Sequence, residues 1–147
     1  MENLGAILAD TSRLMRRAFD ARARTIGVTR PQWQVLSTLS RHEGINQGGL
    51  ADQLDVEPIT VCRMVDRLQE AQLVERRPDA SDRRSWRLFL TPRAHLLIAQ
   101  LRPLADAMVE EALDGVGEEE RAELTRLLLQ VRENIARHQT ETVAAHG

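Results

Sequence analysis

The chain has 147 residues, room for one domain with its own core, and a single cysteine, Cys62, which excludes an internal disulfide framework. Its net charge of −2 hides a division: residues 1–93 carry 15 arginines against 12 acids (+3), and residues 94–147 carry 5 against 10 (−5). The opening MENLGAILAD lacks the basic-then-apolar build of a signal peptide, and no apolar run approaches the roughly 18 residues of a membrane span, so a reducing cytoplasm is the expected compartment.

Helical periodicity dominates the chain. Leu4, Ile7, Leu8, Met15, Ala18 and Phe19 predict a first helix from Leu4 to about Arg24. Thr29 with Gln32 three residues on is a capping-box signature, and Pro31 suits the first turn of a second helix. That helix places Trp33, Leu36 and Leu39 on one face and stops near Gly44. Asn46 is expected to cap a short third helix burying Leu50, Ala51 and Leu54, where Gly48-Gly49 implies a loose or closely packed start. After Asp55-Val56-Glu57, Pro58 opens a helix of about 14 residues with the apolar stripe Val61, Cys62, Val65 and Leu68.

Beyond Gln72 the period changes to two residues. LVER and SWRLFLT predict two strands around the polar loop PDASD, with Trp86, Leu88 and Leu90 on one face and Arg87 and Phe89 on the other. Thr91-Pro92 then starts a long helix to about Leu113, in which Pro103 is expected to produce a kink. Gly115-Val116-Gly117 interrupts the chain. A last helix over 118–138 has an acidic first turn and the stripe Leu124, Leu127, Leu128, Val131 and Ile135, and TVAAHG is expected to fray.

Two helices joined by three residues and followed by an arginine-rich hairpin form the pattern of a winged helix-turn-helix. A major groove admits one helix, whose N-terminal residues reach base edges. On the helix opened by Pro58, the residues away from the stripe are Ile59, Thr60, Arg63, Met64 and Arg67. Thr60 can bond a base or phosphate, Arg63 can grip guanine with two hydrogen bonds, and Arg67 lies a turn further along, better placed for phosphate.

The stretches QWQVLSTLSRHEG, GGLADQLDVEPITVCRMVDRLQEAQLVERR and DASDRRSWRLFLT closely resemble the MarR/SlyA family of bacterial transcription regulators, over nearly the whole chain. The most specific element is Asp82-Arg83-Arg84 followed by an alternating strand ending in Leu-Thr. The resemblance implies a mainly α fold with a two-stranded β-wing. A winged helix-turn-helix lobe would occupy residues 30–92, and a helical dimerisation lobe residues 1–26 and 93–140, within one domain over 1–147. It implies that the wing tip enters a minor groove, with Arg84 as the probe held by Asp82. Arg76, Arg77, Arg83 and Arg87 are then candidate phosphate contacts, which raise affinity without reading sequence. Two positions depart from the family pattern. Gln72 stands where glycine usually ends the recognition helix in a left-handed conformation, at a cost of order 1 kcal/mol, and Ala94 stands at another common glycine position.

Other residues invite narrower interpretations. Cys62 falls in the apolar stripe and is expected to be a small buried hydrophobe rather than a redox sensor. His42, His95, His138 and His146 lack the spacing of a helical metal site, so no metal or cofactor is expected. Trp33 is either a core residue or, by resemblance, one wall of a pocket for a small effector, often a phenolic or aromatic acid in the family. No catalytic constellation is evident, so an enzyme is not expected. Leu4, Leu8, Met15, Leu97, Leu101, Leu104, Leu124, Leu128 and Ile135 exceed what one small winged lobe can bury and are expected to serve a two-fold homodimer on a pseudo-palindromic operator of double-stranded DNA. The function implied is a sequence-specific DNA-binding regulator, a repressor or an activator. The alternative is a winged-helix interaction or ligand-binding protein that no longer binds DNA.

Overall fold

A computed structural model describes residues 3–147. Its elements run α1 (Leu4–Arg24), α2 (Arg30–Arg41), α3 (Gln47–Leu54), α4 (Pro58–Glu70), β1 (Val74–Pro78), β2 (Trp86–Leu90), α5 (Pro92–Ala112) and α6 (Glu118–His146). The chain divides into a first unit ending at Met108 and a second over Val109–Gly147.

The local signals act as chemistry dictates. Asn3 caps α1, its side chain accepting the Ala6 N–H at 2.8 Å. Thr29 and Gln32 form the reciprocal capping box of α2, satisfying two otherwise orphaned donors. Asn46 accepts from Gly49 N at 2.7 Å. Close packing explains the glycine there, because a Cβ on Gly49 would lie 2.7 Å from Ile45 Cγ1. Gln72 does adopt the left-handed conformation, with φ of +60°, so α4 ends as glycine there would end it, but under strain.

The first unit is built on a core of Val35, Leu36 and Leu39 from α2, Leu50 from α3, Val61, Val65 and Leu68 from α4, Val74 from β1, and Leu88 from β2. Buried together, these side chains set the angle between α3 and α4 and seat the hairpin against both. The strands are antiparallel, with Val74 opposite Leu90 and Pro78 opposite Trp86. The loop before α3 extends this sheet: Gly44 N donates to Leu88 O at 2.8 Å, and Leu88 N donates to Ile45 O at 2.9 Å. Leu101 is buried in this core and Leu97 packs against it, so the first half of α5 belongs to the winged unit.

Pro103 lies inside α5, which is helical without a break from Pro92 to Ala112. Within the second unit, Arg121 fastens the α5–α6 turn, donating to Val116 O at 2.8 Å, Leu113 O at 3.0 Å and Glu110 Oε2 at 2.8 Å. Helix α6 runs well past residue 138, and the tail expected to fray is helical to His146. No residue of α6 is buried in the single chain. No helix among the described residues is long and apolar enough to cross a membrane.

Candidate nucleic-acid interface

Helix α4 and the wing present the candidate contact surface. Val61, Val65 and Leu68 point into the core, so the opposite ridge of α4 faces solvent. At about 100° per residue, Ile59 and Arg63 lie on that ridge, with Arg67 on its flank. All three are exposed, and so is Thr60. Thr60, Arg63 and Arg67 border a shallow depression whose far side is Thr29, Pro31 and Gln32 at the start of α2. Pro58 occupies the first turn of α4, where its missing N–H costs nothing.

The wing tip is an ordered turn built by two aspartates. Asp79 Oδ1 accepts from Ser81 N at 2.9 Å and from Ser81 Oγ at 2.7 Å. The backbone donor from Ser81, followed by its hydroxyl, holds the Asp79 carboxyl below its ordinary value. Asp82 Oδ1 accepts the backbone N–H of Arg84 at 3.0 Å, and Ser85 N donates to Asp82 O at 3.1 Å. Asp82 therefore holds Arg84 through the main chain. It positions the residue without neutralising the guanidinium.

The arginines proposed from the sequence separate into two groups. Among the described residues, the guanidiniums of Arg63, Arg67, Arg83 and Arg84 make no ion pair or hydrogen bond, and all four residues are exposed. The others are occupied. Arg76 donates to Gln47 Oε1 at 2.8 Å, Gln69 Oε1 at 2.7 Å and Cys62 O at 3.3 Å, and pairs with Asp66 at 2.7 Å. Its side chain is only 15% exposed. Arg87 Nε donates to Gly44 O at 2.8 Å, bracing the loop before α3. Gly44 sits at φ +86°, a conformation that favours glycine, and a Cβ there would lie 3.0 Å from Arg87 Nη2 and press on that side chain. Arg77 pairs with Glu75 at 3.2 Å and stacks 4.0 Å above the Phe89 ring.

Two expectations change on inspection of the core edge. Cys62 is half-buried rather than enclosed, with its sulfur 4.0 Å from Arg76 Nη2. It lies at the margin of the α4 stripe, where the strand side of the helix opens toward Arg76. Trp86 shares the face of Leu88 and Leu90 yet is 46% exposed, because the hairpin projects past the core at that point. It borders a depression with Gln47, Gln69 and Arg76.

A second feature of the first unit is an apolar cavity of about 340 Å³ between α1, α2 and α5. Met15, Phe19, Trp33, Leu36, Ile98, Leu101, Ala105 and Met108 form its walls, and Arg16, Ser37, Ser40 and Arg102 contribute polar groups. Trp33 is both wall and anchor. Its ring meets Phe19 edge-to-face at 4.9 Å, and its indole N–H donates to Asp20 at 2.8 Å. Asp20 also accepts from Arg30 Nε at 2.6 Å, and this hydrogen bond holds its carboxyl below the usual range. Sequence periodicity identified Trp33 but missed Asp20 and Arg30, which face each other across a helix–helix junction and carry no local motif.

Two helices crossing a short turn, a recognition ridge bearing free guanidiniums and an arginine-tipped hairpin define a winged helix-turn-helix protein. The MarR family model matches residues 28–86, from the end of the α1–α2 connection to the start of β2. The transcriptional regulator PA3341 has a crystal structure 35% identical to the chain, covering 92% of this chain and 99% of its own, with a TM-score of 0.79. A MarR transcriptional regulator from Methanosarcina mazei Go1 is 28% identical over 91% of this chain and 96% of its own, with a TM-score of 0.82. A mutant MarR from E. coli crystallised with operator DNA is 26% identical over 87% and 92%, with a TM-score of 0.73. The chain belongs to the MarR family of transcriptional regulators.

Proposed function

We propose that the chain is a sequence-specific regulator that binds a pseudo-palindromic operator as a homodimer, with α4 in the major groove and the wing tip in the adjacent minor groove. The observation that carries this proposal is the set of exposed, unpaired guanidiniums at Arg63, Arg67, Arg83 and Arg84, on the helix ridge and wing tip of one lobe. Free cations attract phosphate at no cost of breaking an internal pair. Pro58, Ile59, Thr60 and Arg63 are assigned to the groove, Arg67, Arg77 and Arg83 to the backbone, and Arg84 to the minor groove with Asp82 ordering its turn. Arg76 is left out of the contact set, because its side chain is only 15% exposed and its guanidinium is engaged by Gln47, Gln69, Cys62 O and Asp66, whereas Arg87, exposed and bonded only through Nε, stays with the backbone contacts. The E. coli relative's complex with operator DNA supports the choice of partner.

Dimerisation is supported by apolar side chains that the single chain leaves in water. Leu4, Ile7 and Leu14 of α1, and Leu124, Leu127, Leu128, Leu129 and Ile135 of α6, are all more than 40% exposed or at that level. A second copy covers them in the proposed dimer, with α1 and α6 supplying the interface. The dimer on its operator excludes other proteins from that DNA, so repression is its simplest effect, exerted in the compartment that holds DNA, the cytoplasm. The cavity beside Trp33 suits a small aromatic acid: its walls accept a ring, and Arg16 or Arg102 meets the carboxylate. Occupancy would shift the dimer between DNA-competent and incompetent arrangements.

Selection of genomic fragments by the purified protein tests this function. Specific fragments, a steep fall of affinity with added salt, and release by an aromatic acid are expected. Affinity no greater than for random DNA, or indifferent to salt, overturns the proposal. A promoter reporter with and without the protein gives the sign of regulation.

A further inference from the structure

We propose that Ile59 reads the 5-methyl group of a thymine in each operator half-site. This rests on the DNA-binding function proposed above and adds a specificity-determining residue to it. Ile59 is 61% exposed in the second position of α4 and is neither in the hydrophobic core nor packed against it. The buried side of α4 is fixed by Val61, Val65 and Leu68. At about 100° per residue, the direction opposite their mean passes between Ile59 and Arg63, which sit one turn apart on the same outward ridge. Ile59 therefore stands on the side of α4 turned away from the core, beside Arg63.

The charges along the ridge give its direction of entry. Arg63 and, on the flank, Arg67 follow Ile59 with free guanidiniums, Asp66 between them is paired with Arg76, and Glu70 closes the helix. Phosphates attract these two arginines and are repelled by Glu70 at the C-terminal end, so the N-terminal turn enters the groove and carries Ile59 with it. Within a major groove every base edge offers hydrogen-bonding groups, and the one apolar feature is the thymine methyl. A β-branched side chain in a helix holds essentially one rotamer, so Ile59 is ordered before contact. Burying one methyl group against it corresponds to roughly a four-fold gain in affinity.

The test replaces each thymine of a selected operator half-site, one at a time, with deoxyuridine, which differs only in lacking the methyl. Wild type is expected to lose about four-fold at one thymine per half-site. Ile59→Ala should bind the thymine and deoxyuridine duplexes within two-fold of each other, while Ile59→Val keeps part of the discrimination. Arg84→Ala should weaken binding to both duplexes and preserve their ratio. A wild type indifferent to every such replacement, or an Ile59→Ala protein that keeps the full ratio, overturns the inference and leaves DNA binding intact. A protein that binds no duplex above random DNA overturns both. Ile59 is exposed and alanine is the better helix former, so circular dichroism of the variant should match wild type.

Discussion

Arg76 offers the sharpest separation of a structural role from a DNA-contacting one. Sequence places it among the wing arginines, yet its guanidinium joins α3 through Gln47, α4 through Gln69, Cys62 O and Asp66, and β1 through its own backbone. Replacing Arg76 with Ala removes a charged donor from two amides and a carbonyl at the edge of the core. A hydrogen bond to a charged group contributes about 1.5–3 kcal/mol when sheltered and less when wet. The Gln47 bond is sheltered, the Gln69 bond is exposed, and Asp66 is 55% exposed, so its ion pair adds little. Together these give a loss of roughly 2–4 kcal/mol, equivalent to a fall in Tm of roughly 6–15 °C for a chain of this size. Differential scanning calorimetry at fixed protein concentration measures it, fixed because dimer formation makes Tm concentration-dependent. Arg76→Lys should recover less than half, because an ammonium on a single stem cannot reach acceptors on both helices. A Tm within about 2 °C of wild type, accompanied by a ten-fold loss of operator affinity, would refute the reasoning and return Arg76 to the phosphate contacts.

Three further outcomes follow from the same structure. Arg84→Ala should weaken operator binding severely with Tm unchanged; Asp82→Ala should weaken it less, and Asp82→Asn should bind nearly as wild type, since an amide oxygen can still accept the Arg84 N–H. Loss in Asp82→Asn equal to that in Asp82→Ala, measured by fluorescence anisotropy, would show that the negative charge itself matters. Gln72→Gly should raise stability by up to about 1 kcal/mol in urea titration, because glycine adopts the positive φ without strain, partly offset by its freer unfolded chain. Asp20 has its folded-state pKa lowered chiefly by Arg30, so its contribution to stability is present above its unfolded value near 4 and is lost as pH falls through the lower folded value. The stability gap between wild type and Asp20→Asn should accordingly narrow as pH drops from 6 toward 2.5, and a gap independent of pH would count against this linkage.

Local chemistry was sufficient for much of the architecture. The Thr29–Gln32 capping box, the Asn46 cap, Pro58 at the start of α4 and the change of period after Gln72 each act within a few residues, so they are readable in one dimension. The Asp82-Arg83-Arg84 element and the surrounding stretches were enough to indicate the family. What sequence could not assign was the work of each arginine. Arg76 meets Gln47 across 29 positions and Arg87 meets Gly44 across 43, and only the packing of α3 against the hairpin brings those acceptors within reach. The same holds for Asp20, whose partners lie on the next helix, and for Cys62 and Trp86, whose exposure depends on where the core ends rather than on their place in a stripe. Helix α6 continues to His146 although TVAAHG carries a β-branched pair and ends in glycine, since an established helix adds residues at little cost once its nucleus exists. Periodicity and capping are properties of neighbouring residues and therefore belong to the sequence. The partner of a long charged side chain is decided by whichever acceptor the fold brings to it, and that belongs to the tertiary structure.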